Sequence, residues 1–265
     1  MALPPPAPTS TCLVTGASSG IGADIARSLG ARGYGVTLVA RRAERLEALA
    51  RELRAPRRVR VETVACDLGD ADARQRMSAE VEERGLTVEV LVNNAGFGSA
   101  GRFQELDPAR EIEMVRVNVE AVVDLCGRYV PEMARRGRGA VLNVASTAAF
   151  QPLPRQATYA ASKAFVLAFT DALHEDLAGT GVTATTLCPG PVKTEFISTA
   201  GLRWDDMPGF IWTDSARVAE EGVTGMERGR RVVVPGPLNR ASALGGQHAP
   251  RGLLLRVAGK VYPAG

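Results

Sequence analysis

Short runs of nearly continuous apolar residues recur along the chain, separated by longer stretches in which apolar positions return every three or four residues. The short runs, residues 12–15, 35–40, 59–65, 88–92, 140–145, 182–188 and 232–234, predict strands. The longer stretches, 21–32, 43–54, 70–84, 109–136, 158–179 and 215–228, predict helices. Strands that are apolar throughout need cover on both faces, which the intervening helices supply. Strict alternation of strand and helix therefore predicts a three-layer, doubly wound α/β domain with a central, mostly parallel sheet of about seven strands. The pattern holds over residues 11–236, read as a single domain. Residues 1–10 read as a short disordered lead, 195–213 as an irregular insertion and 237–265 as a Gly/Arg-rich C-terminal tail.

Composition adds exclusions. A chain of 265 residues has ample length to bury a core, and 45% apolar with 23% charged residues is ordinary for a globular protein. A net charge of +3 is too weak to point to nucleic acid. The densest positive stretch, Arg41 to Arg60, is interleaved with Glu44, Glu47 and Glu52 at helical spacing, which reads as ion pairs on a solvated helix. Cys12, Cys66, Cys126 and Cys188 show no CxxC pair or metal-ligand spacing, and read as reduced, buried thiols of a cytoplasmic protein. With His174 and His248 as the only histidines, a zinc site or His-based triad is not expected, and no metal is predicted. The segment MALPPPAPTS lacks the charged and apolar regions of a signal peptide. No apolar run approaches the ~18 residues of a membrane span.

Candidate chemistry begins where the first strand runs into TGASSGIG, with Gly16, Gly20 and Gly22 opening the first helix. Glycines there allow positive φ, close approach of a ligand and close packing of helix on strand. The helix N-terminus presents unpaired N–H groups to a pyrophosphate. A glycine triplet alone is weak, but its place between strand and helix makes this a Rossmann-like dinucleotide turn. An NAD site carries an acid at the end of the second strand, where this chain has Ala40, Arg41 and Arg42. The missing acid and the guanidinium pair favour the 2′-phosphate of NADP(H), with NAD(H) as the other possibility. Asp67, ending the third strand, is placed to accept a hydrogen bond from the adenine amino group, unless it or Asp70 caps the next helix.

The stretch TYAASKAF concentrates the remaining chemistry. Of 32 lysines and arginines only Lys163, Lys193 and Lys260 are lysines, so Lys163 stands out as a place where a compact ammonium is needed. Tyr159 and Lys163 lie one helical turn apart on the same face. A phenol with a solution pKa of roughly 10 is a poor proton donor and acceptor near neutrality. A nearby ammonium favours the phenolate and tunes it for general acid–base work.

TGASSGIG, NNAG (Asn93 to Gly96), Ser146, YAASK and the Pro189–Gly190 pair occur here in the order that resembles the short-chain dehydrogenase/reductase family, in its compact single-domain branch. The resemblance covers about residues 11–235. It implies an oxidoreductase that interconverts a carbonyl and an alcohol by hydride transfer, with Asn118, Ser146, Tyr159 and Lys163 as the catalytic set. Tyr159 would exchange the proton and Ser146, at the carboxyl end of the fifth strand, would orient the substrate oxygen. Asn118, which on sequence alone reads as helix packing, would link to Lys163 through water. The resemblance also implies cofactor contacts from Gly16, Ser18, Ser19, Gly20, Ile21, Arg41, Arg42, Asp67, Leu68, Asn94, Ala95, Gly96, Tyr159, Lys163, Pro189, Gly190, Val192 and Thr194. Thr194 resembles the family threonine that bonds the nicotinamide carboxamide.

Substrate recognition is less determined. Phe196, Trp204, Phe210 and Trp212 cluster in the insertion, where they suit either a cover over an apolar substrate or a contact with another subunit. Phe97 and Phe150 are further wall candidates or ordinary core. The tail segment GLLLRVAGKVY suits docking on the domain or on a partner subunit better than a membrane surface. The long helices at 109–136 and 158–179 resemble those that pair subunits in the family, so a homo-oligomer, dimer or tetramer, is expected. The alternative to an enzyme is a catalytically silent NADP(H)-binding sensor or scaffold, which would be expected to lack the tyrosine or the lysine.

Overall fold

The computed structural model describes residues 3–57, 59–201, 209–252 and 254–256. Seven strands, β1 (Ser10–Thr15), β2 (Val36–Ala40), β3 (Val61–Ala65), β4 (Thr87–Asn93), β5 (Gly139–Val144), β6 (Val182–Leu187) and β7 (Val232–Val233), form one sheet. Their order is β3-β2-β1-β4-β5-β6-β7 and every pairing is parallel. Cys12 of β1 stands beside Val36 of β2 and Val90 of β4, so the strand order reverses direction at β1/β4. That reversal opens a crevice at the carboxyl ends of the strands, the usual ligand position in this architecture.

Among the described residues, the helices include α1 (Gly20–Ala31), α2 (Ala43–Arg57), α3 (Ala71–Glu83), α4 (Pro108–Val115), α5 (Ala121–Arg136), α6 (Ala157–Asp176), α7 (Glu195–Thr199), α8 (Ser215–Glu227) and α9 (Pro237–His248). Alternation along the strands divides the core in two. Cys12, Val14, Leu38, Val90 and Leu142 pack against α1, α2 and α8. Leu13, Val39, Leu91, Val141 and Ala184 face the other way, against α3, α5 and α6. Nearly continuous apolar strands are the consequence of having a core on each side.

Four differences from the sequence reading have physical causes. The helix expected over 109–136 is two helices joined by a π-helical turn, Arg116–Glu120, which swings Asn118 inward to full burial. Residues 195–213 contain α7 and a 3-10 turn, Gly209–Ile211, because Thr194 caps the first by accepting from Phe196 N. Leu3 is buried in the core, and the chain pairs with β4 from Ser10 onward, so residues 3–10 belong to the fold. The segment taken as a tail begins with α9, whose Asn239 is buried and donates to Pro235 O (2.8 Å). The folded unit therefore continues past residue 236; residues 257–265 lie outside the described set.

Candidate active site

The carboxyl ends of β1, β4, β5 and β6 surround a cleft of about 430 Å³. Gly16 (φ +65°) and Gly20 (φ +56°) occupy the left-handed region at its floor, which an L side chain adopts with strain. A Cβ on Gly22 would lie 2.3 Å from Asn94 Nδ2 and 2.4 Å from Gly16 O, so α1 can begin against the turn only with glycine there. Asn94 ties this turn to β4: its Nδ2 donates to Thr15 O (3.0 Å), while Asn94 N and Ala95 N donate to Thr15 Oγ1 (2.9 and 3.1 Å). Ser18, Ser19, Gly20 and Ile21 line the cleft above it.

Arg41 and Arg42 leave the end of β2 in different directions. Arg41 reaches Glu113 (3.4 Å). Arg42 turns over the glycine turn, donating from Nη2 to Ser18 Oγ and Ser19 Oγ (2.9 Å each) and from Nη1 to Glu195 Oε2 (2.7 Å). Other arginines of the dense stretch are also paired, Arg54 with Glu47 and Arg60 with Glu62. Asp70 is the N-cap of α3, accepting from Asp72 N (2.9 Å). Asp67 instead accepts from Gly69 N (3.0 Å) and lines the cleft with Leu68. Leu68 O is held from behind by the buried Arg74 (2.6 Å), a support that the sequence reading missed.

Tyr159 and Lys163 project from α6 into the cleft, both nearly buried. Lys163 Nζ donates to Val144 O (2.9 Å) at the end of β5 and lies 5.9 Å from the Tyr159 ring centre. Burial draws the Lys163 ammonium down to about 8. Ser146 starts the 3-10 turn Thr147–Phe150 and accepts from Ala148 N (3.1 Å), so it is a cap as well as a cleft residue. Asn118 accepts from Phe97 N (3.1 Å) and donates to Phe97 O and Ser162 Oγ (3.0 Å each). It thereby pins the loop after β4 to α6. A second buried chain does the same deeper down: Asn93 donates to Asn143 and Asn143 to Thr170 (2.9 Å each), joining β4, β5 and α6. Only the run of polar residues inside apolar strands could have signalled it.

Pro189, Gly190, Val192 and Thr194 follow β6 around the far side of the cleft. Gly190 packs directly on Asn239 of α9; a Cβ would fall 2.2 Å from its Oδ1. Thr194 leans over the glycine turn, its Cγ2 3.0 Å from where a Cβ of Gly20 would stand. Of the aromatic wall candidates, Phe97 and Phe196 line the cleft, and the Phe196 ring packs on Tyr159 with centroids 5.3 Å apart. Gly98 admits that packing, since its Cβ would come within 2.9 Å of Phe196 Cζ. Phe150 packs instead in the α3/α5/α6 core, and Trp212, which lies under Lys193 Nζ (5.5 Å), is not among the residues that line the cleft. Trp204 and the Phe210 side chain lie outside the described residues.

All four cysteines are buried and unbridged. Burial pushes the thiols up, to about 11 for Cys66 and about 12 for Cys126 and Cys188, so they remain protonated near neutrality. Among the described residues no group of acids, histidines and cysteines could hold a metal, and no helix is long and apolar enough to cross a membrane.

The strand order and the glycine turn give a Rossmann-like α/β architecture with Tyr159 and Lys163 at its crevice. The sequence profile of the family described as short chain dehydrogenase matches residues 10–202. A sulfoacetaldehyde reductase of Chromohalobacter salexigens is 41% identical over 186 residues, covering 69% of this chain and 73% of its own length. A short-chain dehydrogenase from Sphingobium yanoikuyae, solved in complex with NADPH, superposes with a TM-score of 0.80 at 31% identity over 92% of this chain and 94% of its own. A bulky-bulky ketone specific alcohol dehydrogenase from Comamonas testosteroni does so at 0.77, with 27% identity over 96% of each chain. The chain belongs to the short-chain dehydrogenase/reductase family.

Proposed function

We propose that the protein is an NADP(H)-dependent oxidoreductase that interconverts a fairly apolar ketone or aldehyde and its alcohol. The observation that carries the reading is the placement of Tyr159 and Lys163, one turn apart on α6, in the same cleft as Ser146, the glycine turn and Arg42. The residues present fit the cofactor. The floor is a cradle that side chains at Gly16 and Gly22 would fill, and Arg42 offers a guanidinium beside two serine hydroxyls, a donor set that would suit a ribose 2′-phosphate. When bound, NADPH supplies the hydride. The Ser146 hydroxyl orients the substrate oxygen, and Tyr159 gives it a proton as the carbonyl becomes an alcohol. In the reverse direction Tyr159 takes that proton. Lys163, anchored on Val144 O, places positive charge beside the phenol, which favours its ionised form. Phe97 and Phe196 supply the apolar wall and exclude water at the reacting carbon.

Ile112 and Val115 of α4, Val123 of α5 and Phe165 of α6 are 40–54% exposed, which supports a homo-oligomer formed through those helices. The unbridged cysteines support a cytoplasmic protein.

The test is oxidation of NADPH and of NADH with a panel of ketones and aldehydes, for the native protein and Tyr159→Phe. Turnover should prefer NADPH and fall by on the order of 10²–10⁴-fold in the variant, with NADPH affinity retained. Turnover that survives the substitution overturns the assignment of Tyr159. Tight NADPH binding without turnover on any carbonyl favours the sensor or scaffold.

A further inference from the structure

Glu195 is the first residue of α7, and it reaches across the mouth of the cleft. Its Oε2 accepts from Arg42 Nη1 (2.7 Å) and its Oε1 from Arg45 Nη1. The same Arg42 guanidinium is held by Ser18 and Ser19 of the phosphate turn. The carboxylate therefore occupies the donor array that the reading above gives to the 2′-phosphate. These two hydrogen bonds, from Arg45 and then Arg42, hold the Glu195 carboxyl at about 2, so it is an anion throughout the neutral range.

α7 has separate anchors. Arg110 donates to Thr199 O (2.6 Å) at its carboxyl end, and Phe196 packs on Tyr159. Releasing Glu195 would loosen the first turn of α7, where Phe196 still rests on Tyr159, while the carboxyl end stays tied to α4.

We propose that Glu195 is a specificity-determining residue that competes with the cofactor 2′-phosphate for Arg42 and Arg45, so that a 2′-phosphorylated nucleotide displaces it and unlatches the start of α7. The inference rests on the NADP(H) reading and adds to it a built-in competitor. Two anions cannot share one guanidinium fork without repulsion, whereas a nucleotide with a free 2′-hydroxyl leaves the ion pairs in place. A ligand shifts a segment only through such a difference in interaction between the two states. The latch joins the adenosine end of the cleft to the helix bearing Phe196, so cofactor choice reaches the substrate wall through α7.

The probes are adenosine 2′,5′-bisphosphate and 5′-AMP, which fill the adenosine end without a nicotinamide. Binding by calorimetry should show that Glu195→Gln tightens the bisphosphate about threefold to tenfold, the scale of releasing exposed ion pairs, and leaves 5′-AMP unchanged. In the native protein the bisphosphate, and not 5′-AMP, should speed amide hydrogen exchange at residues 195–197. Arg42→Ala should lose most of the preference for the bisphosphate, with Arg45 keeping a remainder, and a preference held at the native level overturns the proposal. Equal or weaker bisphosphate binding in Glu195→Gln overturns the proposal. If the native protein and Glu195→Gln both bind the two nucleotides equally, the failure lies in the 2′-phosphate reading itself.

Discussion

Arg74 is 2% exposed, and replacing it with methionine should cost stability through groups that can be counted. Its guanidinium donates to Leu68 O (2.6 Å), to Asp124 Oδ2 (2.5 Å) and to Glu120. Methionine refills most of the aliphatic volume, so the loss is mainly polar. Leaving a buried carbonyl without its donor costs about 1–3 kcal/mol. The charged bond to Asp124, whose side chain is 21% exposed, adds about 1 kcal/mol, because Arg128 (2.7 Å) still partners that carboxylate. Glu120 is 52% exposed and adds little. The sum is about 3 kcal/mol at pH 7. For 265 residues the unfolding entropy at the midpoint is roughly 0.56 kcal/mol/K, so Tm should fall by about 5 °C at fixed protein concentration.

A pH series sharpens the test. Burial by itself would raise the Asp124 carboxyl, but hydrogen bonds from Arg74 and Arg128 outweigh it and hold the group below the ordinary aspartate value. A depressed carboxyl stabilises the fold above the unfolded pKa of about 3.9, and that stability fades as pH falls through the native value. The deficit of Arg74→Met should therefore be full at pH 7 and shrink below about pH 4. Urea unfolding of Arg74→Met, Asp124→Asn and the double variant should show coupling of about 1 kcal/mol. A loss under about 1 kcal/mol at pH 7, or strict additivity, would refute the reasoning.

Two further outcomes follow from the site. Gly190→Ala would drive a methyl onto buried Asn239 and should lower stability by about 1–3 kcal/mol, with Asn239→Ala restoring part of it in the double variant; thermal unfolding reads both, and independent effects would count against the contact. Burial lowers Lys163 to about 8, so between there and its unfolded value near 10.4 the unfolded chain binds the extra proton and stability rises with pH. The native protein should gain about 2 kcal/mol from pH 8 to pH 10 relative to Lys163→Met in denaturant titrations without cofactor, and parallel curves would mean the ammonium is not desolvated.

The strands and most of the helices were legible because their signals are local. An apolar run covered on both faces reads as an interior parallel strand, and the strand-to-helix passage at TGASSGIG reads as a phosphate turn from a few adjacent residues. Tyr159 and Lys163 were legible for the same reason, since one turn of α6 places them together. What tertiary structure decided depended on partners far apart in sequence. Asn118 became a pin for the loop after β4 only because a π turn swings it inward against Phe97 and Ser162. Phe150 could not be sorted from Phe97 by pattern, and only packing sent one to the core and the other to the cleft. Asn239, in a stretch that looks like a tail, backs Gly190 because α9 folds against the loop that follows β6. Glu195 meets Arg42 and Arg45 across about 150 positions, a pairing of charges that no periodicity encodes and that only the closing of the sheet brings within reach.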